Sequence, residues 1–418
     1  MAYAAVLLLQ QGLEDLQHLM TDKWSESDLE RVKSGVCFME GILKASDPEK
    51  MKAFEEWASN LDSLSTLMFM RSYLRFDVNR TLPEDSVFSF TNFKVLRVLD
   101  ISFHPFDHFP EEILQLKFLR YLALASFSYI PSSVDALCFL QTLIRYSHEE
   151  DLDLPLSIWH LKQLRHLCFK KSSYFPIPAN STNSPERAQP TLSSFTEEYL
   201  CLRNLQTLSN ISLTSCTRLV FSGIPNLKKL GVRETKDECE NDEEMLDHLS
   251  NVKFLVKLET LKCFFIKARP LPQYDSFPPN LKKLTLRGCH RPWEEMTVLA
   301  ALPNLEVLKL KYYAFEGPEW EMTEGFDRLK FLVIDGSDLM EWEASSFHFP
   351  NLQSLVLRFC NHLIEIPGDV GEINTLETIE LCECSDAAYN SAKKIQLEQQ
   401  DLGNEGLTVR ICQHYNCE

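Results

Sequence analysis

The sequence is poor in the features that define several large classes of protein. Glycine accounts for only 13 of the 418 residues, and no G-x-x-x-x-G-K-[ST] loop occurs. The nearest glycine pair, Gly35 and Gly41, is followed by Ile42 within a helical pattern, so a phosphate-binding loop of this type is excluded. Motifs such as G-x-S-x-G and H-E-x-x-H are also absent. We therefore predict no catalytic activity, no cofactor and no bound metal ion.

Positive charge is also in deficit, with 42 Lys and Arg against 60 Asp and Glu and a net charge of −18. Such a balance disfavours nucleic acid and anionic membranes as partners. No apolar run reaches the ~18–20 residues of a membrane helix, and the opening MAYAAVLLLQQ lacks the basic start of a signal peptide. The 13 cysteines are an odd number, typical of reduced thiols. We expect a cytoplasmic protein without an integral membrane segment.

Leucine, by contrast, recurs in a regular pattern, L-x-x-L-x-L. The last six copies begin 23 or 24 residues apart, at Leu258, Leu281, Leu305, Leu329, Leu352 and Leu376. This period is typical of leucine-rich repeats, which span about 20–29 residues. The last two apolar residues of each copy alternate along a short strand, and stacked copies bury them in one continuous core. Leu140 and Leu143 form a degenerate copy.

Two further features accompany the repeats. Segments that open with proline precede several strands and predict short helical or 3₁₀ turns: Pro110 to Leu116, Pro131 to Leu137, Pro155 to Leu161 and Pro367 to Ile373. Cysteines occupy the next inward position after the strand, where we predict small, buried and inert thiols: Cys216, Cys289, Cys360 and Cys384.

The predicted fold is an α/β leucine-rich-repeat solenoid, a parallel β-sheet horseshoe preceded by a short α-helical N-terminal segment. Apolar residues three and four apart predict three helices in residues 1–64, a partial coiled coil or helical bundle. About 12–13 repeats follow in 65–384, and 385–418 form a C-terminal cap. Within the repeats, the Ser- and Pro-rich residues 172–196 predict a surface loop. The acidic residues 237–244 predict a solvated loop that opens a helix at 243–249.

Residues that flank the inward leucines are expected to face solvent on the concave side of the sheet. We predict a protein-binding face that comprises Lys262, Phe264, Lys283, Arg287, Lys309, Lys311, Tyr312, Asp335, Arg358 and Phe359. The same pattern places Glu234 and Phe265 on this side. Basic residues outnumber acidic ones there, which favours an acidic protein surface with aromatic anchors. The alternative is that Lys and Arg simply cover a solvated sheet.

Three stretches carry a resemblance to a known family: residues 109–122 (FPEEILQLKFLRYL), residues 224–232 (IPNLKKLGV) and the tail 391–404 (SAKKIQLEQQDLGN). They are similar to plant intracellular coiled-coil nucleotide-binding leucine-rich-repeat immune receptors, in particular the late-blight-resistance group. Residues 1–6 and 28–43 resemble the start and the second helix of that group's coiled-coil domain. The nucleotide-binding domain of the family has no counterpart here, so we expect a truncated receptor without ATP binding.

The resemblance implies a protein of plant defence that recognises a pathogen effector or a guarded host protein, or that contacts other immune receptors. Two alternatives belong to other classes. A secreted leucine-rich-repeat inhibitor of a microbial enzyme would show L-x-G-x-I-P repeats, which this sequence lacks. A substrate adaptor of a ubiquitin ligase would need an F-box-like pattern that is not evident in residues 1–60.

Overall fold

The computed structural model describes residues 67–69, 95–126, 128–147, 153–178, 200–235 and 242–412. The predicted helical segment 1–64 lies outside the described residues, as do 179–196 of the predicted loop and 237–241 of the acidic stretch. The chain divides into two compact units. The first comprises residues 1–149 and 154–170, and the second comprises 150–153 and 171–418.

Parallel strands form the sheet of the first unit, in the order β1 to β5. They are β1 Leu67–Phe69, β2 Val98–Phe106, β3 Tyr121–Ser126, β4 Thr142–Tyr146 and β5 His166–Ser173, whose last three residues belong to the second unit. Their inward leucines form one column, Leu99, Leu122, Leu143 and Leu167, and are fully buried. In the degenerate copy, Arg145 takes the second inward position of β4 and donates to the carbonyl of Ser128.

The proline-opened segments form 3₁₀ turns, as predicted. The turns are Glu111–Gln115, Ser132–Ala136, Leu156–His160 and Gly368–Glu372, and each follows directly on Pro110, Pro131, Pro155 or Pro367. Proline suits the position because its fixed φ prepares the turn and its missing N–H would have no partner there. One aliphatic residue of each turn, such as Ile113 or Val134, is buried.

The second unit continues the pattern with a longer parallel sheet. Its strands are β6 Thr207–Ser212, β7 Lys229–Arg233, β8 Thr260–Phe264, β9 Lys283–Arg287, β11 Val307–Lys311, β14 Phe331–Asp335, β16 Ser354–Arg358, β17 Thr378–Cys382 and β18 Thr408–Cys412, hydrogen-bonded in that order. The inward leucines of these strands are buried. This confirms the predicted repeat register.

Four helices are described in this unit: α1 Arg218–Ser222, α2 Asp242–Ser250, α3 Met296–Ala300 and α4 Asp386–Asp401. Helix α2 lies where the sequence predicted a helix after the acidic stretch. Helix α4 begins at a capping serine, since Ser385 Oγ accepts from the Ala388 N–H at 3.0 Å. Within the described ranges, no helix has the length and apolarity needed to cross a membrane.

An aromatic stack lies beside the main sheet of the second unit. Four very short strands pair there: β10 Arg291–Pro292 with β12 Phe315–Glu316, and β13 Glu319–Glu321 with β15 Glu341–Glu343. The buried Trp320 ring stacks on Trp293 at 4.6 Å and on Trp342 at 5.2 Å between ring centroids. The leucine pattern did not predict this second layer of packing.

The loop prediction for residues 172–196 is wrong at its start. Ser172 and Ser173 end strand β5 and are buried, and Phe175 is fully buried. Their polar groups are satisfied within the unit, because Ser172 Oγ donates to the Arg233 carbonyl at 3.0 Å and the Phe175 N–H donates to Ser215 Oγ at 2.8 Å. Serine therefore tolerates burial here, which composition alone did not reveal.

The predicted burial of the four cysteines is confirmed at three positions. Cys216, Cys289 and Cys360 are buried, and burial raises the pKa of Cys289 well above its ordinary value. Cys384 differs, because it is only half-buried and a hydrogen bond with Cys360 lowers the pKa of its thiol.

Candidate protein-binding face

One side of the second unit's sheet is open to solvent, and we call it the sheet face. It is formed by the residues that alternate with the inward leucines of strands β7 to β17. In β9, Leu284 and Leu286 are fully buried, while Lys283 and Arg287 are exposed and Thr285 between them is half-buried. Alternation along each strand thus places one set of side chains in the core and the other in water.

The structure brings the predicted binding residues together on neighbouring strands of this face. They lie on β8 (Lys262, Phe264), β9 (Lys283, Arg287), β11 (Lys309, Lys311), β14 (Asp335) and β16 (Arg358), or directly after a strand (Tyr312, Phe359). Phe264, Arg287, Lys311, Asp335 and Arg358 occupy one row across the sheet.

Acidic residues on the sheet face are neutralised by neighbouring cations. Asp335 is only 5% exposed, and its Oδ2 lies 3.1 Å from Lys311 Nζ on the next strand. Glu380 Oε1 accepts from Arg358 at 2.8 Å in the same way. Asp335 therefore holds Lys311 in place and does not itself face a partner, which corrects its predicted exposure.

Three lysines on the face have no such partner. Lys262, Lys283 and Lys309 make no ion pair with any residue that the structure describes. Partial burial, together with the positive charges of Lys311 and Lys262, lowers the pKa of Lys309. These lysines repel one another, and a surface with such unpaired positive charge favours the binding of an anion.

Aromatic side chains border the cations. The Arg287 guanidinium lies 3.9 Å from the centroid of the Tyr312 ring, and that of Arg233 lies 6.0 Å from the Phe264 ring. Stacking of this kind orients a guanidinium while its N–H groups remain available. Tyr312 is 49% exposed, so its ring can also contact a partner.

The backbone at the strand ends is unusual. Tyr312 and Phe359 have φ of 48° and 51°, in the left-handed region that bulky residues rarely adopt. Gly288 takes the same position one strand earlier with φ of 68°, and a Cβ there would lie 2.5 Å from the Phe265 carbonyl oxygen. Hydrogen bonds to the next strand hold these turns, since the Tyr312 N–H donates to the Asp335 carbonyl at 2.6 Å. These strained backbone conformations persist because the surrounding structure fixes them.

Two residues that the sequence pattern placed on the sheet face are buried instead. Glu234 is 2% exposed and accepts from Arg269 Nε at 2.8 Å and from the Ile266 N–H at 2.6 Å. Phe265 is 6% exposed. Both lie one residue past the end of their strand, at the position that continues the inward series of Leu230 and Val232 in β7 and of Leu261 and Cys263 in β8. The period of two therefore points them toward the core.

Thr285 belongs to the sheet face but was not among the predicted residues. Thr285 lies in the middle of β9, with Lys262 beside it on β8 and Lys309 beside it on β11. The signal that would have found it is the repeat register, because Lys262 and Lys309 lie 23 and 24 residues away at the same position of the motif.

The sheet has parallel strands that recur every 23 or 24 residues, with inward leucines and one open face. These features define a leucine-rich-repeat protein. The comparison with family models agrees with the geometry. Residues 70–400 match the leucine-rich repeat region family, and the chain belongs to this family.

Two relatives come from Solanum demissum. A putative late blight resistance protein homolog of Solanum demissum is 32% identical over 388 residues, which cover 88% of this chain and 27% of the relative. A late blight resistance protein of the same species is 32% identical over 364 residues, covering 84% of this chain and 26% of that protein. The chain is homologous to these proteins and spans about a quarter of their length.

Solved structures are more distant. A plant peptide hormone receptor in complex with its ligand peptide aligns over 77% of this chain and 53% of that chain, with a TM-score of 0.41 and 15% identity. A leucine-rich-repeat protein of Leptospira interrogans aligns over 84% of this chain and 97% of that chain, with a TM-score of 0.38 and 15% identity. Similarity at this level carries no argument about ligands.

Proposed function

We propose that this chain is a protein-binding leucine-rich-repeat protein of plant defence, which recognises a pathogen effector or a host protein that an effector has modified. The observation that carries the proposal is the basic sheet face on a chain of net charge −18. Asp335 and Glu380 on that face already pair with cations, so Lys262, Lys283 and Lys309 keep a local excess of positive charge. The names of the homologous proteins support a role in disease resistance.

The face suits a protein partner with an acidic surface. Charge complementarity speeds association and rejects other basic proteins, whereas aromatic residues supply much of the affinity at an interface. Tyr312 and Phe264 lie among the cations and offer such anchors. The rest of the chain repels nucleic acid and anionic membrane, because its overall charge has the same sign as theirs.

The proposal includes binding without catalysis and a cytoplasmic location. All the described cysteines are free thiols, which suits a reducing compartment. Leucine-rich repeats offer an extended interaction surface, which suits a binding role.

The test is capture of partners from plant cells, identified by mass spectrometry. The wild type is compared with a triple variant, Lys262→Glu, Lys283→Glu and Lys309→Glu. A matched control carries the same change of charge at exposed lysines outside the strands of the main sheet, Lys253→Glu, Lys267→Glu and Lys393→Glu. Circular dichroism establishes that both variants fold.

We expect a partner that the wild type and the control capture and the triple variant loses. A partner that all three proteins hold equally would locate binding away from the sheet face. If none of them captures a protein from infected or uninfected tissue, the lysines only solvate the sheet and the proposed function is wrong.

A further inference from the structure

Thr285 lies at the centre of a cross of four basic side chains, which we call the Thr285 centre. Lys262 and Lys309 flank it in register on the neighbouring strands. Lys283 and Arg287 precede and follow it by two residues on its own strand, so they share its side of the sheet. Neighbouring strands lie ~4.8 Å apart, and residues two apart along a strand ~6.6 Å. The Thr285 hydroxyl is therefore surrounded by cations on all four sides.

The charges at this centre are not offset by the protein. Lys262, Lys283 and Lys309 make no ion pair within the described part of the chain. Arg287 stacks on Tyr312, which orients its guanidinium but leaves its charge in place. Lys311, one row further, is already bound to Asp335. Positive charge is thus concentrated at one point of the sheet face.

Burial and the neighbouring cations also lower the pKa of Lys309. The centre therefore holds its positive charge against mutual repulsion, and an anion would relieve that repulsion. The Thr285 hydroxyl makes no hydrogen bond to another described residue. Its hydroxyl is thus available to donate to an anion placed between the lysines.

The number of donors decides which anion fits. One carboxylate carries a single charge on two oxygens, whereas a phosphoryl group carries about −1.5 to −2 charges on three terminal oxygens near neutral pH. Lysine ammonium groups are compact donors that approach phosphate oxygens from separate directions. A single carboxylate would leave much of the charge at the Thr285 centre uncompensated.

We propose that the Thr285 centre binds the phosphoryl group of a phosphorylated serine or threonine on the partner protein. The inference rests on the proposed function, because it names the chemistry by which the sheet face recognises its partner. An extended polyanion fits less well, since Asp335 lies in the next row and Glu380 lies further along the row of Thr285. The chain as a whole is also acidic. The three lysines and the hydroxyl contact the phosphoryl oxygens, and Arg287 extends the contact toward Tyr312.

The deciding experiment is direct binding of peptides to the full chain. Three fluorescent pools of degenerate peptides are compared by polarisation, with phosphoserine, serine or aspartate at one fixed central position. We expect the phosphoserine pool to bind at least about tenfold more tightly than the aspartate pool, because charge-assisted hydrogen bonds to a dianion are stronger and more numerous. Equal binding of the phosphoserine and aspartate pools would overturn the inference.

Variants locate the effect. Thr285→Val preserves the shape of the side chain and removes the hydroxyl, and we expect it to weaken phosphoserine binding about threefold to tenfold. Thr378→Val is the matched control, since Thr378 is half-buried on strand β17 of the same sheet. Lys262→Gln and Lys309→Gln should each weaken binding about tenfold, and Lys253→Gln should leave it unchanged. A phosphoserine preference that survives Lys309→Gln and Thr285→Val would place the site elsewhere.

Alternative sources of phosphate are separated by the same measurement. Inorganic phosphate and vesicles that contain phosphatidylserine are added as competitors. Displacement of the peptides by phosphate only at high millimolar concentration supports a peptide-borne group, whereas binding to vesicles that Lys309→Gln abolishes would overturn the inference in favour of a membrane.

Failure of this inference differs from failure of the proposed function. Treatment of the plant extract with a phosphatase before capture should remove the partner that depends on the basic lysines. If that partner is captured equally after treatment, the sheet face binds protein by another chemistry and only the phosphoryl inference fails.

Discussion

The two units have cores of the same kind, but they differ on the opposite face of the sheet. At the middle position between two inward leucines, strand β3 of the first unit has Ala123, which is 1% exposed. Strands β2, β4 and β5 have Asp100, Ile144 and Cys168 there, which are half-buried. The second unit has Lys309 at the same position, and its side chain is exposed. Ala125 on strand β3 is buried too. The leucine register therefore fixes the core of both units and leaves the chemistry of the other face free to vary.

The units also differ behind the sheet. In the first unit, proline-opened 3₁₀ turns such as Glu111–Gln115 and Ser132–Ala136 bury one aliphatic residue each. The second unit adds paired short strands and the stack of Trp293, Trp320 and Trp342. Large aromatic rings thus stabilise the unit that also concentrates charge on its sheet face.

The largest expected effect comes from the tryptophan stack. Trp320→Ala removes a ring that is 2% exposed and lies between two others, and we expect a loss of about 3–5 kcal/mol in the free energy of unfolding. Phe347→Ala is the control, because Phe347 is 87% exposed and its removal should cost less than about 0.5 kcal/mol. Urea denaturation followed by tryptophan fluorescence and circular dichroism measures both. Similar losses for the two variants would show that the stack adds no stability.

A buried ion pair gives the next effect. Glu234→Leu removes the carboxylate that Arg269 and two backbone N–H groups bind, and should cost about 3–4 kcal/mol. The double variant Glu234→Leu/Arg269→Leu should recover much of that loss, since the buried charge is then removed as well. Unfolding measurements on the wild type, both single variants and the double variant complete the cycle. Strictly additive losses would contradict this account of the pair.

The middle position of the sheet face offers a direct exchange between the units. Ala123→Lys places an ammonium at a buried site of the first unit and should cost about 2–3 kcal/mol. Lys309→Ala changes an exposed side chain of the second unit and should stay within about 0.5 kcal/mol of the wild type. Thermal unfolding distinguishes the two. If Ala123→Lys costs no stability, the middle position of the first unit accepts a charged side chain. The two faces would then differ in sequence but not in burial.

The smallest effect is the pH dependence that Lys309 contributes. Its pKa in the folded chain is lowered from 10.5, so in the window between the two pKa values the unfolded chain binds more protons. The contribution of Lys309 to stability therefore rises with pH as the side chain loses its proton. The difference in urea midpoint between the wild type and Lys309→Met, measured from pH 8 to about 11, should follow that rise. A difference that falls with pH would have the wrong sign for a lowered pKa.

Much of this fold was predictable because its signals are local and repeated. The strands follow from L-x-x-L-x-L, and the turns after Pro110, Pro131, Pro155 and Pro367 follow from proline geometry. Burial of Glu234 was not predictable, because its partner Arg269 comes 35 residues later. Phe175 likewise depends on Ser215, which comes 40 residues later. The short strands around Trp320 are too brief for any periodicity to reveal.

The candidate face shows the same division. Alternation correctly placed Lys283 and Lys309 toward solvent, but the sequence did not reveal which cations carboxylates already hold. That Asp335 is covered by Lys311, and that Thr285 stands between two lysines, depends on the register of neighbouring strands. The spacing of 23 and 24 residues does contain the register that places Thr285 between two lysines, but it does not tell which carboxylate pairs with which cation.

Five strands of the second unit are each followed by a residue with a left-handed backbone, which affects how the surface can change in evolution. The same position holds Gly288, Tyr312, Gly336, Phe359 and Glu383, all with positive φ. Gly288 has no room for a Cβ. At Tyr312 and Phe359, by contrast, the N–H donates to the following strand and holds the backbone with a bulky side chain in place. A single codon change at this position alters what the surface presents and leaves the spacing of the repeats as it was. Recognition can then drift or be selected one side chain at a time on an inherited scaffold.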